Sequence, residues 1–562
     1  MKSVCKLFIA FSVMIILFSS CGKNKNEVGK MIPANALFVA QLNMKSLDSK
    51  LSWYEIKQTS WFQKAHSDES IPDWRKKILD NPSASGIDFD NGLTFFVSKG
   101  AGDNYFLTAE GKIKNEKDFE QFNKNFDSSQ SVKKEGDINL LILKDKNVVG
   151  WKDGDFVYVM NPETTASQMY KWKDTTNIQP DMPVDNSAEL SEFCKKLFSL
   201  KADSSLAKND KFSALLKEEG DIHLWQNNEA IINSTPAMGM LGMVKLDAFI
   251  KDNITTYTVN FDKGEIDVNQ KSYVSKDLGD VLKKNIGNSI NMDMIKNIPS
   301  QNVFGLLALN FKPEGLVEMI KLTGADGIVN TYAPKMGFDL DDVSKSTNGD
   351  LLLAFTDLKM NKNLFNNSDS SENSKKLNKP DFNYIFSLGV GNKASLQKII
   401  DAGKKIGSQM GKDSIAKDYV INDKIFATGS SNSFVNQYIA GNNNKYDFAE
   451  KISGHPAAFF LDIHKILSQF ATTESSNAED KAMLDKSLNM WNNITAYGGD
   501  FKNNAITFHT EINLINKDTN SLKQLSNYIN EMYKMQEAKK DQNDHRLDSL
   551  LVPPSIDTVK VK

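Results

Sequence analysis

Cysteine is nearly absent: the 562 residues contain three, at Cys5, Cys21 and Cys194. No stretch reaches the roughly 20 apolar residues needed to cross a hydrocarbon core of about 30 Å. Histidine is also scarce. The six, His66, His223, His455, His464, His509 and His545, lack metal-ligand spacing, and His455 and His464 do not form the His-Glu-x-x-His pattern that puts two ligands on one helical face. No Gly-x-Ser-x-Gly elbow occurs, and no glycine-rich phosphate loop follows a strand. Neither sign of charge dominates: 68 Lys and Arg stand against 71 Asp and Glu, which argues against a general nucleic-acid partner.

The longest uncharged apolar run lies at the start. Lys2 and Lys6 precede Leu7–Phe18 (LFIAFSVMIILF), and Ser19 and Ser20 lead into Cys21. Twelve apolar residues fit a secretory h-region of about 7–15 residues. A cysteine directly after a small-residue cleavage site resembles bacterial lipoprotein signals. The usual leucine three residues before the cysteine is replaced by Phe18, with Leu17 beside it. The resemblance implies cleavage before Cys21 and lipid on its thiol, so the partner expected here is a membrane, held through acyl chains worth about 0.8 kcal/mol per buried methylene. Gly22 is not the aspartate that commonly retains lipoproteins in an inner membrane, and no acidic cluster follows it. The expected address is therefore the outer membrane, facing the periplasm. Residues 1–20 form the signal and 21–30 a polar tether; losing Lys2 and Lys6 moves the formal charge from −3 to −5.

Cleavage removes Cys5 and lipidation uses Cys21, so Cys194 has no disulfide partner within the chain. It sits in an amphipathic pattern, Ser191–Phe198, and reads as a buried structural thiol. Stability must then come from apolar cores rather than covalent staples.

The body contains one pattern twice. Ile32-Pro33-Ala34-Asn35-Ala36-Leu37-Phe38 recurs as Ile298-Pro299-Ser300-Gln301-Asn302-Val303-Phe304, and each leads to a strand ending in Leu42-Asn43-Met44-Lys45 or Leu309-Asn310-Phe311-Lys312. Gly86–Asp90 matches Gly337–Asp341. Strands over Leu93–Val97 and Leu351–Phe355 follow, then a strand and a helix in each copy, Tyr105–Lys114 with Asp118–Phe126 and Tyr384–Val390 with Ala394–Gly403. Paired hairpin strands come next, Asn147–Trp151 with Asp155–Met160 and Tyr419–Asn422 with Lys424–Thr428. Asn253-Ile254-Thr255-Thr256-Tyr257 aligns with Asn493-Ile494-Thr495-Ala496-Tyr497 at a shift of 240, which also carries Phe261 onto Phe501 and Ile266 onto Ile506. Turns are expected at Asp262-Lys263-Gly264 and Lys502-Asn503-Asn504, and helices over Lys276–Asn285 and Thr519–Tyr533. The fold class expected is α+β: tandem duplicated units of antiparallel sheet covered by helices, 31–290 and 296–535, with a groove between them. The polar stretches Asn361–Pro380 and Thr472–Asp480 read as loops, and 536–562 as a mobile tail that begins on the last helix.

The lipoprotein-type leader, the Ile-Pro-x-x-x-hydrophobic opening strand and the following Leu-Asn-Met-Lys-Ser-Leu resemble a family of Bacteroidota-type lipoproteins known as a domain of unknown function of about this length. The resemblance covers residues 30 to about 535. It implies a cell-envelope protein and brings no activity, ligand or catalytic residue with it.

Candidate chemistry is sparse. Asp88-Phe89-Asp90-Asn91-Gly92 and Asp339-Leu340-Asp341-Asp342 are acidic, but the glycine falls too early for a twelve-residue calcium loop and no glutamate closes it, so capping and turn formation are expected. Pro236–Val244 (PAMGMLGMV) carries Met238, Met240 and Met243 among glycines, an adaptable apolar surface for a hydrophobic partner or a packing segment. No catalytic, metal or cofactor site is assigned. The reading is a non-enzymatic, lipid-anchored binding or scaffold protein of the envelope, with an envelope protein as possible partner. The alternatives are an envelope glycan or peptide hydrolase using a carboxylate pair, and a carrier of an apolar ligand.

Overall fold

A computed structural model describes residues 28–551, apart from residues 70, 101–103, 126–130, 145, 161–184, 235–246, 361–379, 410–418 and 472–477. Cys21 and the Met238, Met240 and Met243 segment lie outside the described residues, as do the end of the tail and most of the two polar loops.

The first series of strands is β1 (Phe38–Leu42), β2 (Ile87–Asp88), β3 (Leu93–Lys99), β4 (Tyr105–Ile113), β5 (Lys133–Glu135), β6 (Ile138–Ile142), β7 (Val148–Lys152), β8 (Asp155–Met160), β9 (Ile222–Asn227), β10 (Ile254–Asp262) and β11 (Glu265–Tyr273). The second is β12 (Val303–Asn310), β13 (Thr347–Lys359), β14 (Asp381–Val390), β15 (Tyr419–Ile421), β16 (Ile425–Gly429), β17 (Ala457–Asp462), β18 (Trp491–Lys502) and β19 (Ala505–Leu514). Eighteen antiparallel pairings join these nineteen described strands, so the network is a line with no ring. From one edge the order is β5-β6-β7-β8-β4-β3-β1-β9-β10-β11, then β19-β18-β17-β12-β13-β14-β16-β15, with β2 continuing the β3 side of β4. Read outward from the β11–β19 seam, the two series have the same order of corresponding strands.

The seam register follows the sequence shift. Asn269 lies opposite His509, and these residues are 240 apart, the same offset that aligns Asn253–Tyr257 with Asn493–Tyr497. That is the register a two-fold axis through this pair would give. The two series thus meet in a nine-residue hydrogen-bonded ladder, where the sequence had suggested a groove. The hairpins either side of the seam turn where expected. Gly264 takes φ +69°, and a Cβ there would stand 2.5 Å from Lys517 Cα; Asn503 and Asn504 take φ +52° and +60°, the left-handed pair of a type I′ turn.

Strand alternation then divides the sheet into two faces. On the front face, Val39, Phe96, Val157 and Trp225 pack against Leu190, Phe193, Cys194 and Leu197 of the helix Ser187–Phe198. The second series repeats this arrangement with Leu306, Ala308, Leu352 and Ala354 beneath Phe434, Val435 and Tyr438 of the helix Asn432–Ala440. Ile290, Met294 and Ile295 belong to that second core. On the back face, the helix Glu116–Lys124 starts on the Asn115 cap, carries acids in its first turn and Lys124 in its last, and buries Phe119. Phe119 packs 5.6 Å from Trp151 and 5.1 Å from Phe156, centroid to centroid. The two expected acidic stretches serve as caps. Asp88 accepts from the Asp90 amide, and Asp339 forms a reciprocal capping box with Asp342. The last helix is longer than expected, running Ser521–Leu551.

Candidate functional site

One cross-strand row runs along the front face through eleven strands, from β4 to β13. In the first series it is polar: Glu110, Thr94, Gln41, His223, Thr258 and Asn269 are successive partners. Across the seam it continues through His509 and Tyr497 and then turns apolar at Ala458, Ala308 and Leu352. Burying polar groups in such a row requires partners. His223 Nδ1 lies 2.8 Å from Gln41 Oε1 and its Nε2 lies 3.0 Å from the Glu218 carbonyl oxygen. Thr258 donates to Glu218 at 2.7 Å, and Lys271 also pairs with Glu218.

At the seam the network is ionic. His509 Nδ1 stands 3.0 Å from Asn269 Oδ1, and its Nε2 is 3.0 Å from Asp267 and 3.6 Å from Glu511. Tyr497 lies between two imidazoles, 5.0 Å from the His509 ring and 4.9 Å from the His455 ring, and His455 Nδ1 contacts Asp500 at 3.0 Å. Burial raises Asp267 above the usual carboxylate range, with His509 pulling the other way and the Asp262 and Glu511 charges adding to the rise. Burial acts in the same sense on Glu511, but the hydrogen bond and charge of Lys451 outweigh it and hold that carboxyl below its ordinary value. These two carboxylates are register partners on adjacent strands with pKa values displaced in opposite senses. Both are already engaged, Asp267 by His509 and Asn269, Glu511 by Lys451 and His509.

Next to this network, at the ends of β17, β18 and β19, the front face opens into a cleft of about 550 Å³. Phe460, Thr495 and Asn513 form its floor, and Lys445, Lys451, Lys465 and Lys517 reach it from three segments, 445–451, 465 and 517. Asp447 and Asp462 are the carboxylates that line it. Lys465 pairs with Asp462 at 3.2 Å and Lys451 with Glu511. Lys517 donates to Asn513 Oδ1 at 2.6 Å and to the Gly264 carbonyl at 3.1 Å. The volume lies within the ~300–1,000 Å³ usual for small-molecule sites.

The family model for a domain of unknown function, DUF4836, matches residues 29–416. The chain belongs to that family. The DUF4836 match takes in every strand of the first series and β12 to β14 of the second, while the cleft's lining, apart from Gln301 and Val303, lies beyond its end. No curated protein and no solved structure matches the chain.

Cys194, expected to be structural, is fully buried on the inner face of the helix Ser187–Phe198, and burial pushes its thiol up to about 12. His464 falls at the junction of β17 with the helix Ile463–Ala471, as its flanking pattern suggests. Among the described residues no group of three or more His, Cys, Asp or Glu is placed to hold a metal ion, and no described helix is long and apolar enough to cross a membrane. The cleft itself was not read from the sequence. Its lysines are spread from 445 to 517 without a motif, and only the pairing of β17, β18 and β19 brings them together.

Proposed function

We propose that this DUF4836 protein is a lipid-anchored binding protein of the bacterial cell envelope, held through Cys21 and recognising a polar envelope component at the front-face cleft. The observation that carries the binding reading is the cleft: lysine and amide side chains from distant segments converge beside the seam, and Asp462 and Glu511 are paired with Lys465 and Lys451. A general acid or nucleophile needs a free lone pair or proton directed at the substrate. Asp267 and Glu511 spend theirs on His509, Asn269 and Lys451, which favours binding over hydrolysis.

The anchor reading rests on Lys2, Lys6, the apolar run Leu7–Phe18 and Ser19-Ser20-Cys21. Val28, packed against the first core, lies seven residues beyond Cys21, so the body would stand at most about 25 Å from the lipidated residue. The Bacteroidota-type lipoprotein resemblance and an outer-membrane, periplasm-facing address belong to the same proposal. We also read the two series as copies of one unit, supported by their shared strand order and the 240-residue shift at the seam.

Recovery of the full-length lipidated protein from membranes, with co-purifying material identified by mass spectrometry, tests this reading. A reproducible envelope component, lost when Lys451 and Lys517 are changed to Met, supports it. Turnover of an envelope polymer by the purified protein would replace it with the hydrolase.

A further inference from the structure

We infer that the cleft beside β17, β18 and β19 takes a hydroxylated anion, a sugar that carries a carboxylate or phosphate, with the anionic group held between Lys445 and Lys517. This rests on the binding reading above and names the ligand class for the same site.

The charge balance of the wall comes first. Four lysines line the cleft against two aspartates. Lys465 is matched by Asp462 and Lys451 by Glu511. Lys445 and Lys517 have no carboxylate within 4 Å among the described residues. Lys517 holds its ammonium on neutral acceptors, the Asn513 amide oxygen and the Gly264 carbonyl. Burial lowers its pKa and the like charge of Lys451 adds to that, while the more distant Glu265 and Glu511 charges oppose it. An ammonium with no carboxylate in direct contact can gain a charge-assisted hydrogen bond when an anion arrives, and such bonds are about twice as strong as neutral ones.

The remaining walls fit hydroxyls rather than a bare ion. Asn492, Asn493 and Gln301 line the cleft, and each amide offers a donor and an acceptor, the pairing that vicinal hydroxyl groups satisfy. Asn493 Oδ1 accepts from Asn513 at 3.1 Å, which orients its NH₂ group away from that contact. Phe448 and Phe460, stacked 4.1 Å apart at the base, are both buried. They give the floor an apolar body, and the half-buried Tyr446, stacked on Phe448 at 5.3 Å, continues it into the lining. Room of about 550 Å³ suits a small molecule or the end of a chain rather than a folded partner.

Calorimetric titration of the full chain with glucuronate, glucose 6-phosphate, glucose and inorganic phosphate tests the assignment. The expected result is that one or both charged sugars bind at least tenfold more tightly than glucose and than phosphate. Lys517→Met should weaken that binding at least tenfold, and Lys445→Met, which removes an exposed side chain, should weaken it severalfold without affecting folding. Glucose binding as well as the charged sugars would overturn the anion requirement, and phosphate binding as well as glucose 6-phosphate would overturn the sugar. Absence of binding by all four, while membranes still yield a partner through Lys451 and Lys517, would overturn this ligand class and leave the binding reading standing. Absence of both would remove the two together.

Discussion

Glu110 offers the sharpest quantitative test of the packing. It sits on β4 beneath the segment that begins at Val28, and burial, with the Asp155 charge adding and Lys112 opposing, pushes its carboxyl up to about 8. One of its oxygens, Oε2, has no hydrogen-bond partner. The ordinary value is 4.5, so the folded protein keeps this proton to about pH 8 while the unfolded chain releases it from about 4.5 upward. Below 4.5 both states are protonated and the residue costs nothing. As pH rises from 4.5 through 8 the unfolded state gains, by about 1.4 kcal/mol per pH unit, and folded stability falls by about 3 kcal/mol at pH 7 and up to about 5 kcal/mol above pH 8. Glu110→Gln keeps the shape and removes the ionisation. Urea unfolding at pH 5, 7 and 9 should show the variant within about 1 kcal/mol of the parent at pH 5 and more stable by several kcal/mol at pH 9. Parallel pH profiles for the two proteins would refute the claim that Glu110 is buried and neutral.

Three further outcomes follow from the core and the seam. Cys194 should resist a thiol reagent in the native protein at pH 8 and react fully in denaturant, since its thiol is both enclosed and pushed up to about 12; rapid native labelling would contradict that placement. Phe119→Ala removes the ring packed on Trp151 and Phe156 and should cost about 3–5 kcal/mol in denaturant unfolding. A chain ending at residue 290 would expose the nine-residue β11 edge, and light scattering should find it self-associated through β11, with Asn269 opposite Asn269; a stable monomer would argue against the seam.

Much of the fold was legible because local signals agreed with it. The helix Lys276–Asn285 has the bounds expected from its pattern, set by the Ser275 cap, buried Leu278 and Leu282, and lysines in its last turn. The hairpins at Gly264 and at Asn503-Asn504 were marked by residues that accept left-handed backbone. The strand β9 was not anticipated. Its six residues include His223, Gln226 and Asn227, and its place between β1 and β10 depends on long-range pairing rather than composition. The seam was hidden for the same reason: β11 alternates polar residues whose partners lie about 240 positions away, and nothing local names them. The cleft was less legible still. A lysine reads as surface until the register shows which carboxylates are near it, and Lys445 and Lys517 become notable only once Asp462 and Glu511 are seen to be paired elsewhere. The Met238, Met240 and Met243 surface lies outside the described residues, so its reading still rests on sequence alone.

The central claim is that a lipid on Cys21 holds this body at a membrane. Metabolic labelling with palmitate, combined with fractionation of the parent and a Cys21→Ala variant, tests it most directly. The account predicts a labelled parent in the membrane fraction and an unlabelled variant released from it. Persistent labelling of the variant, or an unlabelled parent, would contradict the anchor.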